Sequence, residues 1–392
     1  MFEPNDIQKL VQETARQYAQ KTLAPLAKTL DREARFPKAQ LLELAELGLM
    51  GVNVPEALGG AQAGAVSYAL AMMEIAQGCA STAVTMAVNN MVAETITKFG
   101  NETLSKKYVP EIVSGRFEAA SFGLSEPHAG SDAAALRTTA KRDGNDWVLN
   151  GAKQWITSGD HAGVIVVWAR TSSVEGASAK GISCFLVEAG QPGLHVGRHE
   201  DKMGLRASTT VALTFEDLRV PADRMLGSEG QGFTIAMSAL DGGRIGIASQ
   251  ATGIGLAALD ASVKYAKDRK AFGQAIGNFQ AIRFQLADVA TELDAGKLLA
   301  LRAAGLKEAG KPFTREGSMA KVFASEAANR ACQVAVQVHG GYGYIDEFPV
   351  ERHYRDARVT TIYEGTSEIQ RLVIARSILG LHREPASQGS HS

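Results

Sequence analysis

Glu364 is the residue whose surroundings best suit acid–base chemistry. It follows the apolar residues Ile362 and Tyr363 and precedes Gly365. Burial in such a setting would raise the pKa of the carboxyl group, which suits a general base acting near neutral pH. The alternative is an ordinary acidic residue ahead of a helix N-terminus, and this segment taken alone favours that alternative.

The residues after Glu364 predict where a helix begins. Ser367 and Gln370 have the spacing of a capping box, so we expect a helix to start there and to run to Gly380. Glu364 would then lie on the approach loop just before the helix. Gly365 permits a tight chain path and leaves backbone N–H groups accessible to an oxygen atom.

Residues 122–132, FGLSEPHAGSD, form a second candidate site segment. Gly130 allows close backbone approach, and Ser125 and Ser131 offer hydroxyl and backbone N–H groups to a ligand rich in carbonyl or phosphate oxygens. A polar turn between a helix and a strand explains this segment about equally well.

Residues 150–159, NGAKQWITSG, form a third candidate segment. A tryptophan on a strand usually belongs to a core, but small polar or flexible residues closely follow Trp155 here. The pattern therefore favours a Trp155 that covers a flat aromatic ring.

Two pairs of polar residues suggest contacts with an extended anionic ligand. Arg269 and Gln280 are eleven positions apart, so one surface could present both if helical phase resumes after the intervening turn. Asp241 and Arg244 fall one helical turn apart. The alternative for this second pair is a weak surface ion pair.

Residues 253–258, GIGLAA, match the dinucleotide-binding pattern G-x-G-x-x-G/A. That pattern requires a strand before it and an acidic residue about 20 positions later on a second strand. Here it lies inside a long helical pattern. We therefore predict close helix packing at these glycines and no nicotinamide cofactor.

Three regions of the chain are predicted to supply the helices and strands that position these segments. Apolar residues recur at helical spacing over 7–114, with a loop at 53–64. Short β-branched and aromatic runs over 117–221 predict an antiparallel β domain, with a barrel as the favoured form. Helical patterns return after Gly230 over 244–309, 315–338 and 368–379. The polar residues 383–392 are expected to form a disordered tail.

Charge and cysteine content narrow the classes of function. The chain of 392 residues has 42 acidic and 41 basic residues, which disfavours nucleic acid and anionic membranes as partners. Without a run of about 18 apolar residues, no membrane insertion is expected. The three cysteines and eight histidines have neither disulfide nor metal spacing. Reduced thiols and the lack of a secretory pattern predict a cytoplasmic protein without a metal.

Together with residues 337–344 (QVHGGYGY) and 351–358 (ERHYRDAR), these segments resemble the acyl-CoA dehydrogenase family over residues 7–381. The resemblance implies an α+β fold with an N-terminal helical domain at 1–116 and a middle antiparallel β-barrel domain at 117–228. A C-terminal four-helix-bundle domain would occupy 229–382.

The same resemblance implies FAD as cofactor and assigns residues to it. The residues expected at FAD are Phe122, Leu124, Ser125, Gly130, Ser131, Trp155, Ile156, Thr157, Arg269, Phe272, Gln280, Gln337, Val338, His339, Gly340, Gly341, Thr366, Ser367 and Glu368. Those expected at the acyl-CoA substrate are Ser131, Asp241, Gly242, Gly243, Arg244 and Gly365.

The implied reaction removes an α-proton of a thioester with Glu364 while FAD accepts a hydride, and an electron transfer flavoprotein takes the electrons. Some long-chain and branched-chain relatives carry the base just before the arginine that matches Arg244, where this chain has Gly243. The sequence most resembles the short-chain, butyryl-type branch. A short branched-chain dehydrogenase, an acyl-CoA oxidase and a desulfinase remain alternatives.

Assembly also follows from the resemblance. Family members place Arg269, Gln280 and the segment 337–341 against the FAD of a neighbouring subunit. A homotetramer is therefore expected.

Overall fold

The computed structural model describes residues 3–172 and 179–381, so the tail predicted at 383–392 lies outside the described residues. Helices precede and follow a central sheet, which confirms the predicted order of helical, β and helical regions. The first helices are α1 (Asp6–Tyr18), α2 (Ala24–Arg32), α3 (Lys38–Glu46), α4 (Gly64–Gly78), α5 (Ala80–Phe99) and α6 (Glu102–Val113).

Helices α4 and α5 form the buried centre of this first region. Nearly every residue of both is buried, because α1 covers α4 on one side and the C-terminal helices cover both on the other. A helix buried on all sides has no polar face and needs a continuous apolar sequence, as seen in AVSYALAMM. This packing fixes α5, which forms one wall of the candidate site.

The middle region is an open sheet, so the prediction of a closed antiparallel barrel was wrong. The strands are β1 (Ala119–Gly123), β2 (Thr139–Asp143), β3 (Asp146–Thr157), β4 (Ala162–Arg170), β5 (Ile182–Glu188), β6 (Leu194–His199), β7 (Thr210–Pro221) and β8 (Met225–Leu226). Their order is β6-β7-β3-β2-β4-β5-β8, and β1 pairs with β4 in parallel. Local patterns predict strands, but closure depends on strand number, tilt and stagger, which alternation does not encode.

The C-terminal region is built on long helices. They are α7 (Gly232–Asp268), α8 (Gln280–Glu308), α9 (Thr314–His339), α10 (Val350–Arg358) and α11 (Ser367–Leu379). Helices α7, α8 and α9 pack on one another, and α10 and α11 pack on α9. A small hairpin, β9 (Lys270–Ala271) with β10 (Gln274–Ala275), interrupts the helical pattern predicted over 244–309. Helix α10 was not predicted, because five of its nine residues are charged and few apolar residues mark a buried face.

The glycines of the dinucleotide-like motif serve helix packing, as predicted. They lie in the middle of α7, far from any strand. A Cβ atom at Gly253 would lie 2.3 Å from the carbonyl oxygen of Met73, and one at Gly255 would lie 2.4 Å from Cδ2 of Leu293. Since neither position has room for a side chain, α7 can approach α4 and α8 closely.

Helix α11 begins as predicted, but its cap differs from the prediction. Thr366 is the N-cap residue, and its side chain accepts a hydrogen bond from the N–H of Ile369. Ser367, expected as the cap, is the first helical residue and its hydroxyl group is buried. Gly380 ends the helix with a left-handed φ of 65°, as expected. In residues 3–172 and 179–381, no helix is both long and apolar enough to cross a membrane.

Candidate active site

A cavity of about 990 Å³ lies where the three regions meet. Its walls come from α5, the β1–β2 connection, β3, α7 and the segment leading into α11. Predicted site residues that line it are Phe122, Leu124, Ser125, Gly130, Ser131, Trp155, Thr157, Gly243, Arg244, Glu364, Gly365 and Thr366. The structure therefore brings together segments that are more than a hundred residues apart in sequence.

Glu364 is held in this cavity by its backbone and shielded from water at its carboxylate. It lies on the loop before α11, and burial raises the pKa of its carboxyl group to about 7, against opposing charges on Lys321 and Arg244. The Oε2 atom is buried and has no hydrogen-bond partner in the described residues. A buried carboxylate oxygen without a partner is costly unless a ligand uses it.

Gly243 makes room for that carboxylate. A Cβ atom at this position of α7 would lie 2.7 Å from Oε2 of Glu364 and 3.2 Å from Sδ of Met91. Any side chain at 243 would therefore displace the glutamate. Gly243 thus leaves the space that the Glu364 carboxylate occupies, a role not predicted from the sequence.

Arg244 and Asp241 form an ion pair at 2.6 Å, but the pair is not the weak surface feature considered above. Arg244 is 4% exposed, and its Nε atom is buried without a partner among the described residues. Asp241 also accepts a hydrogen bond of 2.6 Å from Thr314 Oγ1. Asp241 therefore holds the guanidinium group in place, and Arg244 lines the cavity. Asp241 and the adjacent Gly242 do not line the cavity.

Trp155 reaches the cavity because β3 is irregular at this point. The register between β3 and β7 shifts between Lys153 and Ile156, and Trp155 has a φ of 63°. Such a bulge turns a side chain out of the normal alternation. Trp155 is 63% exposed, whereas Ile156, also predicted at the cofactor, is buried in the sheet core. The carbonyl oxygen of the next residue, Thr157, accepts a hydrogen bond of 2.7 Å from Ser121.

A buried ion pair holds the loop that follows β1. Lys153 of β3 donates to Glu126 at 2.8 Å and to the carbonyl oxygen of Leu124 at 3.2 Å. Glu126 also accepts from the N–H groups of Arg137 and Thr138 at 2.7 and 3.0 Å. Burial lowers the pKa of Lys153 to about 8, and the lysine charge holds the pKa of Glu126 below its usual value against burial. The carboxylate thus anchors both ends of the 122–138 segment to β3.

Several cationic lining residues were missed by sequence reasoning. Lys202, Arg355, Arg358 and Arg376 line the same cavity. Arg355 is committed elsewhere, because it pairs with Asp31 at 2.7 Å. A positive lining fits a diphosphate-containing ligand such as FAD or CoA. Arg355 and Arg358 lie in the 351–358 segment quoted for the resemblance, which gave them no role at the site. No sequence signal distinguished Lys202 or Arg376.

Apolar lining residues of α5 were also missed. Val84, Ala87, Val88 and Met91 recur at helical spacing and face the cavity. That spacing indicates one helix face, and it could have identified the wall. Met86, on the other side of α5, belongs to the helical core.

A second cavity, of about 540 Å³, shares no lining residue with the first. Predicted cofactor residues at this site are Arg269, Gln337, Val338, His339, Gly340 and Gly341. His339 stacks on Tyr265 with ring centroids 4.2 Å apart, and burial lowers its pKa. The sequence-predicted residues Phe272, Gln280, Ser367 and Glu368 line neither cavity, and Phe272 is 95% exposed.

Residues 3–172 and 179–381 contain no group of three or more His, Cys, Asp or Glu side chains placed to hold a metal ion.

Comparison with known families confirms the resemblance over nearly the whole chain. Three family models match: acyl-CoA dehydrogenase N-terminal domain at 5–116, middle domain at 121–218 and C-terminal domain at 230–379. The short-chain specific acyl-CoA dehydrogenase of Bos taurus mitochondria is 52% identical over 376 residues, which are 96% of this chain and 90% of that protein.

Solved structures agree with the sequence matches. Butyryl-CoA dehydrogenase from Megasphaera elsdenii superimposes with a TM-score of 0.94 at 42% identity, covering 97% of this chain and 100% of that one. A structure described as an electron transferring flavoprotein of Acidaminococcus fermentans contains a chain with a TM-score of 0.94 at 42% identity. That match covers 97% of this chain and 99% of the other.

Lys153→Met should destabilise the protein by about 3–5 kcal/mol, because it leaves the buried Glu126 carboxylate without its cation. Adding Glu126→Gln to Lys153→Met should recover part of that loss, since no charge is then left unpaired. Denaturant unfolding of the FAD-loaded protein measures both variants.

The control removes an exposed pair of the same kind. Lys106 and Glu102 lie 2.6 Å apart with side chains 68% and 80% exposed, so Lys106→Met should destabilise the protein far less than Lys153→Met. Equal losses for Lys153→Met and Lys106→Met would show that the buried pair does not hold the loop.

Proposed function

Because the chain belongs to the acyl-CoA dehydrogenase family, we propose that it oxidises short-chain acyl-CoA thioesters to trans-2-enoyl-CoA. It is an acyl-CoA dehydrogenase, and this family depends on FAD. The observation that carries the proposal is the Glu364 carboxylate, which lines a substrate-sized cavity, has a pKa raised to about 7 and has one buried oxygen without a hydrogen-bond partner among the described residues.

Glu364 acts as the general base in this proposal. A carboxylate with a pKa near the working pH is ionised often enough to accept a proton and basic enough to remove one. The acidity of a thioester α-carbon depends on hydrogen-bond donors at the carbonyl oxygen, and we assign one of these to the N–H of Glu364. We assign Arg244, which lines the same cavity, to the CoA part of the substrate.

The residues of the large cavity suit FAD. The exposed ring of Trp155 can cover a flat aromatic system, Ser125, Ser131 and Thr157 offer polar groups, and the cationic lining suits a diphosphate. When bound, FAD supplies the two-electron acceptor for the β-hydrogen. Trp155, Thr157 and Glu364 would align the substrate between the cofactor and the base.

A short acyl chain is favoured by the apolar wall beside Glu364. Val88 and Met91 of α5, Leu240 of α7 and Tyr363 line the cavity there. Met91 is packed so close to Gly243 that a Cβ at 243 would contact it at 3.2 Å. Two of the relatives, a short-chain specific acyl-CoA dehydrogenase and a butyryl-CoA dehydrogenase, also favour a short acyl chain.

A chain-length series tests the substrate proposal. Butyryl-CoA added without oxygen should bleach the oxidised flavin spectrum, and the rate should fall for long chains that α5 excludes. A flavin that stays oxidised with every linear and 2-methyl-branched acyl-CoA would overturn the dehydrogenase proposal. Faster bleaching by 2-methyl-branched thioesters would move the substrate to the short branched-chain class.

The electron acceptor is proposed to be an electron transfer flavoprotein. That partner should speed reoxidation of the protein after butyryl-CoA has bleached it. Peroxide formed in air at the rate of turnover would instead identify an acyl-CoA oxidase.

Glu364→Gln should slow flavin reduction by about 10²–10⁴-fold, a barrier increase of about 3–5 kcal/mol, because an amide cannot accept the α-proton. In the parent protein, the reduction rate should rise with pH through about 7 and then level off, since the carboxylate form is the base. Stopped-flow bleaching across pH measures both effects. Glu347→Gln, at an exposed glutamate in the same region, is the control and should behave as the parent.

The same variant has a stability signature. The carboxyl pKa is raised from 4.5 to about 7 in the fold, so the folded state keeps a proton that the unfolded chain loses in that window. The free energy of unfolding should therefore fall as pH rises between these values. Glu364→Gln should remove that slope and gain about 2 kcal/mol above pH 7, allowing for solvent screening. An unchanged slope would mean that Glu364 does not titrate there.

We propose a homotetramer in which the second cavity receives part of a neighbour's FAD. Its residues, Arg269 and 337–341, lie apart from the Glu364 cavity, and the nearly fully exposed Phe272 suits a subunit contact. Sedimentation of the FAD-loaded protein should give the tetramer mass, and Arg269→Gln should weaken both FAD retention and association. An active, FAD-saturated monomer at low concentration would contradict this assembly.

A further inference from the structure

The loop that carries the base has an unusual backbone. Glu364 has a φ of 54° and Gly365 a φ of 86°, so two successive residues are left-handed. For a residue with a side chain, this conformation is strained and persists only where the surroundings enforce it. The position of the Glu364 carboxylate therefore depends on whatever holds this loop.

Two fully buried side chains hold it from opposite helices. Lys321 of α9 donates to the carbonyl oxygen of Gly365 at 2.7 Å. Gln370 of α11 donates to the carbonyl oxygens of Glu364 and Gly365 at 3.0 and 2.9 Å. Both side chains are 0% exposed. These bonds fix the peptide groups on either side of Gly365.

Hydrogen bonding alone does not explain why residue 321 is a lysine. Burying an ammonium group costs several kcal/mol unless opposite charge compensates it, and an apolar side chain would fill the space at no such cost. No carboxylate lies within ion-pair distance of Lys321 among the described residues, yet the charge of Glu364 is the largest influence that favours its protonated form. Burial lowers the pKa of Lys321 to about 8.

Other charged groups around Lys321 come from three helices. Arg244 of α7 opposes its charge, whereas Glu326 of its own helix and Glu368 of α11 favour it more weakly than Glu364 does. Reciprocally, Lys321 is the largest charge that favours the carboxylate form of Glu364, ahead of Arg244. The charges of Lys321 and Glu364 therefore favour each other, and Lys321 also bonds the loop that carries Glu364.

We propose that Lys321 and Gln370 are positioning residues for the general base: both clamp the 364–365 loop, and the ammonium group of Lys321 also stabilises the carboxylate form of Glu364. This inference rests on the role proposed for Glu364. Neither side chain lines the cavity, so both act through the loop and not on the substrate directly.

The two roles predict different pH profiles of flavin reduction by butyryl-CoA. Lys321→Met removes a donor and a charge, so the plateau rate should fall by roughly tenfold and the midpoint should move up by about one pH unit. Lys321→Gln keeps a donor, so it should show the same shift with a smaller loss of rate. Gln370→Leu should lower the plateau without moving the midpoint.

Arg330→Met is the control, because Arg330 lies on the same helix α9 as Lys321 and is an exposed cation that pairs with Glu292 of α8. It should leave the rate and the midpoint unchanged. All variants are compared only after FAD content and binding of an enoyl-CoA product are shown to match the parent, which separates positioning from misfolding.

A readout independent of turnover completes the test. Infrared difference spectra against Glu364→Gln report protonation of the Glu364 carboxyl in the substrate-free, FAD-loaded protein as pH changes. Lys321→Met and Lys321→Gln should both raise that midpoint. An unmoved infrared midpoint in Lys321→Gln, or Lys321→Met reduction within about twofold of the parent at every pH, would overturn the inference. A parent that butyryl-CoA never bleaches would overturn the proposed function while the infrared titration still tests the lysine.

Discussion

The burial of one carboxylate governs how this molecule is put together. Glu364 must be kept from water so that its pKa stays near 7, and it must also keep an open face for a ligand. A solvated carboxylate would be too weak a base at neutral pH, and a carboxylate fully satisfied by hydrogen bonds would be weaker still. The structure meets both demands with an apolar cavity, a glycine at 243 and two cations that do not hydrogen-bond to the carboxylate.

The need to bury Glu364 and still leave it open to a ligand explains why each of the three regions supplies one wall of the cavity. Helix α5 gives an apolar surface, the sheet gives the exposed Trp155 through a bulge, and α7 gives Gly243 beside Arg244. The bulge and the glycine do not stabilise their own elements. A bulge disrupts the ladder, and a glycine inside a helix costs about 1 kcal/mol relative to alanine. Such departures from local preference are expected at functional sites, where the rest of the fold offsets them.

Most of the segments singled out from the sequence line one cavity, but several of their neighbours there were not predicted. Glu364, Arg244, Trp155 and the 122–132 segment were singled out because they combine unusual neighbours with a family resemblance. The cationic residues Lys202 and Arg376 were missed, since only the folded chain brings them to the cavity. The barrel prediction failed for a similar reason: strand patterns are local, whereas the pairing of β4 with β1 and the open edges of the sheet are global. Ser367 was mistaken for the cap because Thr366 beside it offers the same chemistry.

Each of the two loops that form the site is held by a buried lysine that donates to one of its carbonyl oxygens. Lys153 donates to the carbonyl oxygen of Leu124, and Lys321 donates to that of Gly365, and both lysines are 0% exposed. In each case a carboxylate of the same loop, Glu126 or Glu364, offsets the cost of burying the ammonium group. The difference lies in contact: Glu126 bonds its lysine directly and is held ionised, whereas Glu364 is kept out of reach of Lys321 and retains a raised pKa. The direct bond from Lys153 makes Glu126 an anchor for its loop. Lys321 bonds the carbonyl oxygen of Gly365 instead, which leaves the Glu364 carboxylate free to take a proton.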